Sequence, residues 1–282
     1  MNKWTASRLP TMAAKTVVIT GAGSGLGLIT ARELGRVGAR VVLAVRNVDK
    51  TRRSIADVPG DLHVRELDVA DLDSVRNFAE SWSGALDILI NNAGVMDIPA
   101  ARTAQGLDVQ TATNYFGPFL LTNLLLPRLT DRVVTVTSQL HRQGRLNLDD
   151  LDWRSRDYRS MGAYRDSKLA VVLFSLELQR RLDASGSPVR SVLAHPGIAR
   201  TALAAHSASN VINRLTFLTN DAEHGALPIL YAATQDVPGN AYVGPDGFAG
   251  LRGYPAVGRP GKAGLDPAVA AGLWKATSVL TG

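Results

Sequence analysis

The stretch Lys15-Thr-Val-Val-Ile-Thr20-Gly21-Ala-Gly-Ser-Gly-Leu-Gly27 restricts the fold more than any other part of the chain. Its first half is a short β-branched run, as expected of a buried strand. Its second half places four glycines in seven residues. A helical apolar rhythm then runs from Leu26 through Ile29, Leu34 and Val37, until Gly38 stops it. Strand, glycine turn and helix in direct succession form the setting that cradles a dinucleotide pyrophosphate. Glycines let the backbone approach the phosphates, and the helix N-terminus offers free N–H groups and partial positive charge. An ordinary βα turn needs fewer glycines. Gly21, Gly23, Ser24, Gly25, Leu26 and Gly27 are therefore candidate cofactor-binding residues.

The alternation continues downstream. Arg40–Val45 reads as a second strand, followed at once by Arg46. Many dinucleotide-binding domains place an acid at this strand's end, on the ribose 2′-hydroxyl. A guanidinium there can instead pair a 2′-phosphate bidentately. NADP(H) is thus the expected cofactor, with NAD(H) possible; the other reading of Arg46 is a solvent-facing arginine. A helix over Val48–Ala56 leads to a third strand, Leu62–Leu67, ending at Asp68 and Val69. Asp68 either hydrogen-bonds the adenine amino group or caps the helix starting near Leu72. A fourth strand, Leu86–Ile90, delivers Asn91, Asn92, Ala93 and Gly94, a small amide-rich turn suited to lie against a cofactor.

A long apolar helical stretch over 107–129 holds Asn114, and a fifth strand, Arg132–Thr137, delivers Ser138. Residues 139–161 form a long polar loop, of a length that points to function. A helix over 162–182 carries Tyr164 and Lys168, and a sixth strand, Val189–Ala194, ends at His195, Pro196 and Gly197. A lid over about 198–221, a helix over 222–234, a short strand at Ala241–Val243 and a Gly/Pro-rich segment over 244–264 follow. A last helix starts at Asp266, its N-cap, with Pro267 in the first turn. Strands alternating with helices predict one doubly wound α/β domain over 15–282, preceded by a tail over 1–14. The expected Rossmann-like parallel sheet has about seven strands in the order 3-2-1-4-5-6-7, with helices on both faces.

Four residues apart on a helix, Tyr164 and Lys168 stand side by side. An ammonium beside a phenol favours phenolate and lowers its pKa from about 10, which suits proton transfer near neutral pH. The alternative is an amphipathic surface pair. Composition narrows the remaining chemistry. The 282 residues include no cysteine, which removes disulfides, thiolate catalysis and cysteine-ligated metals. The five histidines form no His-Glu-x-x-His pattern, so no metal site is expected. His195 reads as a packed or loop-bonding residue; His141 and His206 read as surface-loop histidines, the alternative being that they line the pocket. No Gly-x-Ser-x-Gly elbow supports a hydrolase. The net charge of +6 is spread over single and paired arginines with acids between them, so no nucleic-acid partner is expected. No signal peptide or long apolar run is present, and a cytoplasmic protein without a membrane span is expected.

These motifs, in this order, resemble the short-chain dehydrogenase/reductase family in its single-domain branch. The resemblance rests on Thr20-Gly21-x3-Gly25-x-Gly27, Asn91-Asn-Ala-Gly94, Asn114, Ser138, Tyr164-x3-Lys168 and Pro196-Gly197-x3-Thr201. Arg46-Asn, Asn114-Tyr-Phe-Gly-Pro-Phe, the long interval from Ser138 to Tyr164 and Gly244-Pro-Asp-Gly-Phe248 are similar to its retinol dehydrogenase and protochlorophyllide reductase group. The resemblance implies hydride transfer between a nicotinamide and a carbonyl or alcohol carbon. It implies Tyr164 as acid/base, Lys168 lowering the tyrosine pKa and holding the nicotinamide ribose, Ser138 bonding the substrate oxygen and Asn114 holding a water. Pro196, Gly197, Ile198 and Thr201 would lie near the nicotinamide. Thr201 either bonds its carboxamide or caps the lid helix.

Leu203, Val211, Ile212, Leu215, Phe217 and Leu218 of the lid, with Trp153, Tyr158 and Met161, suggest a lipophilic small-molecule substrate. The stretches 115–126 and 169–176 are apolar all round, which predicts pairing with their copies in a homodimer or homotetramer; the alternative is packing on each other within one chain. A cofactor sensor without turnover is the rival function, although such a protein need not keep both Tyr164 and Lys168.

Overall fold

Every central strand is sandwiched between helices, and this explains the near-continuous apolar runs. A computed structural model describes residues 3–197 and 221–282. Strands β1 (Thr16–Thr20), β2 (Arg40–Val45), β3 (Asp61–Glu66), β4 (Leu86–Asn91), β5 (Leu129–Val136), β6 (Arg190–Ala194) and β7 (Tyr242–Pro245) run parallel. Val18 of β1 pairs with Val42 and Leu89 and joins one core, while its neighbours Val17 and Ile19 join a second core on the other face. This is the two-residue alternation of a strand buried on both sides.

Among the described residues, helices α1 (Gly25–Arg36) and α7 (Ala222–Thr234) cover the second face. Helices α3 (Leu72–Glu80), α5 (Gly117–Leu125), α6 (Ser160–Ala184) and α8 (Pro267–Thr281) cover the first. Helix α2 (Val48–Ser54) connects β2 to β3. Asp266 caps α8 as expected, accepting N–H bonds from Ala268 and Val269 at 2.9 and 3.1 Å. None of the described helices is long and apolar enough to cross a membrane.

Three features differ from the expectation. The described sheet has eight strands, ordered β3-β2-β1-β4-β5-β6-β7-β8, rather than seven. The additional strand, β8 (Pro255–Gly258), lies antiparallel to β7 inside the Gly/Pro-rich segment. Proline at the first position of an edge strand removes no needed ladder donor, so composition that reads as loop is compatible with pairing there. Second, the residues before β1 do not form a loose tail. Trp4 and Met12 are buried, the Trp4 ring meets Tyr231 at 5.2 Å, and the Met12 N–H donates to the Val37 carbonyl at 2.8 Å.

Third, the long stretch before β5 is not one α-helix. A short α4 (Val109–Thr111) passes into a π-helical turn, Ala112–Phe116, before α5 begins. The apolar faces of α5 and α6 meet within the chain: Phe119 and Phe174 lie 5.4 Å apart, and Trp274 of α8 packs on both. These ring contacts match the within-chain alternative for the faces that carry Phe119 and Phe174.

The strand order reverses between β1 and β4. In such sheets the crevice beyond the carboxyl ends at this point is where ligands bind. Thr20 and Asn91 stand on its two sides.

Candidate active site

The turns after β1 and β4 are locked together by one hydroxyl. Thr20 Oγ1 accepts the N–H groups of Asn92 and Ala93, both at 3.0 Å, and Asn92 Nδ2 donates to the Thr20 carbonyl at 2.9 Å. Gly21 takes φ +64°, and a Cβ there would lie 2.9 Å from Ala93 Cα. A Cβ on Gly27 would meet Asn92 Nδ2 at 2.5 Å. Gly23 lies against Thr51, and Leu26 packs on the core. Gly25 opens α1, whose N-cap Ser24 makes no side-chain cap bond and whose first turn carries no acid. The leading N–H groups of α1 therefore face the crevice without a protein anion, which fits a pyrophosphate.

At the end of β2, Arg46 is exposed and makes no ion pair with a described carboxylate. Beyond β3 the capping alternative for Asp68 falls away, because Asp71 caps α3 by accepting the Asp73 N–H at 3.0 Å. Asp68 instead accepts the Ala70 N–H at 2.9 Å. The buried Val69 presses its carbonyl toward Gly117. Gly197 takes φ +68° and donates its N–H to His195 Nδ1 at 3.3 Å, leaving Pro196 at the end of β6. Ile198, Thr201 and the predicted lid lie outside the described residues.

Tyr164, Lys168, Ser138 and Asn114 come together. Lys168 Nζ is 5.9 Å from the Tyr164 ring centre and donates to the Val136 carbonyl at 3.0 Å. The Ser138 side chain lies beside the Tyr164 hydroxyl. Asn114, in the π-helical turn, accepts the Val95 N–H at 2.8 Å and donates to the Val95 carbonyl and to Ser167 Oγ, both at 2.9 Å. Its amide thus clamps the segment after Gly94 to α6, a scaffolding task with no sequence signal. A Cβ on Gly94 would sit 3.2 Å from Asn114 Oδ1 and 3.5 Å from Lys168 Nζ, so glycine keeps open the space beside the ammonium.

The electrostatics correct one expectation. Lys168 does not pull the tyrosine pKa down. Burial pushes the Tyr164 phenol up, against the Ser138 hydrogen bond, and burial lowers Lys168 to about 8. Both side chains are almost fully buried, and desolvation disfavours each charged form. At neutral pH the pair is a protonated phenol beside a largely protonated ammonium.

Sequence reasoning missed His141. It is fully buried rather than on the surface. Its Nδ1 lies 2.6 Å from the Ser138 carbonyl, and its Nε2 accepts the Gly261 N–H at 2.7 Å. A carbonyl can only accept and an amide N–H only donate, so the ring is neutral with its proton on Nδ1. The Ser138 turn is thereby tied to the segment leading into α8.

His195 is packed, as expected, with its ring 4.8 Å from that of Tyr242 and its pKa lowered to about 3 by burial. An unfolded histidine takes a proton near 6.5, so between that pH and about 3 the unfolded state binds more protons. Stability therefore falls as pH drops through this window, by about 2 kcal/mol at pH 5 from this residue. Urea unfolding at pH 7 and pH 5 should show this slope, reduced in His195→Gln. Equal slopes for both proteins would contradict the assignment.

The sequence model for short chain dehydrogenase matches residues 15–211. Retinol dehydrogenase 13 of Homo sapiens is 43% identical over 209 residues, which cover 70% of this chain and 62% of that protein. The chain thus spans less than two thirds of that relative's length. A crystal structure of an uncharacterized protein from Mycobacterium paratuberculosis is 50% identical with a TM-score of 0.89, covering 99% of this chain and 98% of that one. A crystal structure from Beutenbergia cavernae, described as a putative NAD(P) dependent gluconate 5-dehydrogenase with bound NADP at low occupancy, is 28% identical with a TM-score of 0.60, covering 79% of this chain and 91% of that one. The chain belongs to the short chain dehydrogenase family, in its retinol dehydrogenase-like group.

Proposed function

We propose that this chain is an NADP(H)-dependent oxidoreductase acting on the carbonyl or alcohol carbon of a small lipophilic substrate, with Tyr164 as acid/base. The observation that carries the reading is the buried Tyr164, with Ser138 beside its hydroxyl and Lys168 Nζ 5.9 Å from its ring centre. The dinucleotide, when bound, supplies or takes up the hydride. Tyr164 hands its phenolic proton to the carbonyl oxygen in reduction and recovers it in oxidation. Ser138 donates a hydrogen bond to the same oxygen as negative charge grows there. Lys168, fixed on the Val136 carbonyl, supplies positive charge next to the phenol as it gives up its proton. Gly21–Gly27 and the α1 N-terminus hold the pyrophosphate, and Arg46 pairs the 2′-phosphate. The lipophilic assignment is supported by the retinol dehydrogenase relative.

The test is NADPH absorbance over a panel of carbonyls, with NADPH and NADH compared. NADPH should give the higher kcat/KM, and Arg46→Ala should lower that value by roughly tenfold while leaving NADH nearly unchanged, the loss expected for a charge-assisted hydrogen bond. Equal efficiencies with the two cofactors in the unaltered chain would remove the NADP preference.

A further inference from the structure

Beside the N-terminal half of α6 lies a cavity of about 760 Å³ whose walls carry five arginines: Arg142, Arg145, Arg156, Arg159 and Arg165. One carboxylate, Asp166, shares the lining. Trp153 and Met161, expected to face a lipophilic substrate, line this cationic cavity.

The arginines fall into two sets. Arg142 and Arg156 are held by the protein. Arg142 donates to the Arg259 carbonyl at 2.7 Å, and Arg156 stacks 3.6 Å from the Trp153 ring centre and pairs with Asp166 at 3.3 Å. Among the described residues the side chains of Arg145, Arg159 and Arg165 make no hydrogen bond or ion pair, and Arg165 Nε is buried without a partner there. Asp166 meets Arg165 only through its field, and residues 1–2 and 198–220 contain no Asp or Glu. Further along the same helix the chain does otherwise: Arg180 and Arg181 share Glu177 at 2.7 and 2.8 Å.

Guanidinium groups that line one cavity repel one another, and its wall focuses their field. Planar guanidinium forks match the oxygens of a phosphate. The geometry points to a second anion site: the cavity binds a phosphate monoester group, with Met161 in its lining to meet the body that carries it. None of the lining residues belongs to the glycine turn, Arg46 or Asn92–Gly94, so the site is separate from the nucleotide crevice. It does not depend on Tyr164 being the acid.

The probe is inorganic phosphate, titrated calorimetrically into the full chain at constant ionic strength. A parallel arm sediments the protein with phosphatidylcholine vesicles with and without phosphatidic acid. Removing two guanidinium partners in Arg145→Gln/Arg159→Gln should weaken phosphate binding tenfold or more, while Arg46→Gln leaves it unchanged. Both arginines are exposed, so the melting temperature without phosphate should not move; if it does, Arg145→Glu alone repeats the test. Phosphate binding without sedimentation identifies a free phosphate ester, and phosphatidic-acid-dependent sedimentation lost in the double variant identifies a lipid headgroup. Equal phosphate binding by the double variant and the unaltered chain overturns the proposal. So does loss only in Arg46→Gln, or binding in neither arm.

Discussion

Tyr164→Phe should reduce carbonyl turnover by about 10² to 10⁴, the usual worth of a positioned general acid, and leave NADP(H) affinity nearly unchanged. The substitution removes one oxygen from a ring that is almost fully buried, so the packing of α6 is preserved. What disappears is the proton donor beside Ser138. Because burial keeps the phenol protonated, the group that titrates first on raising the pH is Lys168, near 8. Reduction by the unaltered chain should therefore decline as pH rises through about 8, where the ammonium loses its charge. NADPH absorbance gives the rate, and cofactor fluorescence gives the affinity. Normal turnover in the Phe variant would refute Tyr164 as the acid. A chain that binds NADPH but reduces nothing on a broad panel would be a sensor, a result distinct from a failed variant.

What could be read from the sequence was local. The β-branched run of β1, the glycines behind it, the four-residue step from Tyr164 to Lys168 and the Asp266-Pro267 helix start each work through neighbours within a turn or a strand. Their placement followed. What escaped depends on contacts between distant parts of the chain. His141 acquires its task only because Gly261, 120 residues away, brings an N–H to its ring. Trp4 is buried because Tyr231 waits for it on α7. The π-helical turn at Asn114 places an amide that must reach both Val95 and Ser167, and no periodicity encodes that. The direction of the Tyr164 shift escaped for the same reason. Spacing predicts the neighbouring charge, but only the packed structure shows how completely both groups are removed from water.

Gly117→Ala should be the most destabilising single methyl insertion near the site. A Cβ at Gly117 would lie 1.8 Å from the Val69 carbonyl oxygen and 2.8 Å from its carbon. Those atoms are backbone, so no side chain can swing aside. Either α5 backs away from the turn after β3 or that turn deforms, at a cost of roughly 3 kcal/mol or more. Gly186→Ala is the matched control. Gly117 is right-handed helical at φ −62°, whereas Gly186 sits in a left-handed conformation, φ +66°, with open space around its Cβ, so only backbone strain of about 1 kcal/mol is expected there. Urea midpoints should separate the two variants clearly, and similar midpoints would show that the α5 contact relaxes freely. The damage should also reach the chemistry. Gly117 directly follows the π-helical turn, so moving α5 moves Asn114, which clamps Val95 to Ser167 beside Lys168. Turnover under conditions where Gly117→Ala is still folded should therefore fall, while Gly186→Ala, in the distant turn after α6, keeps full activity.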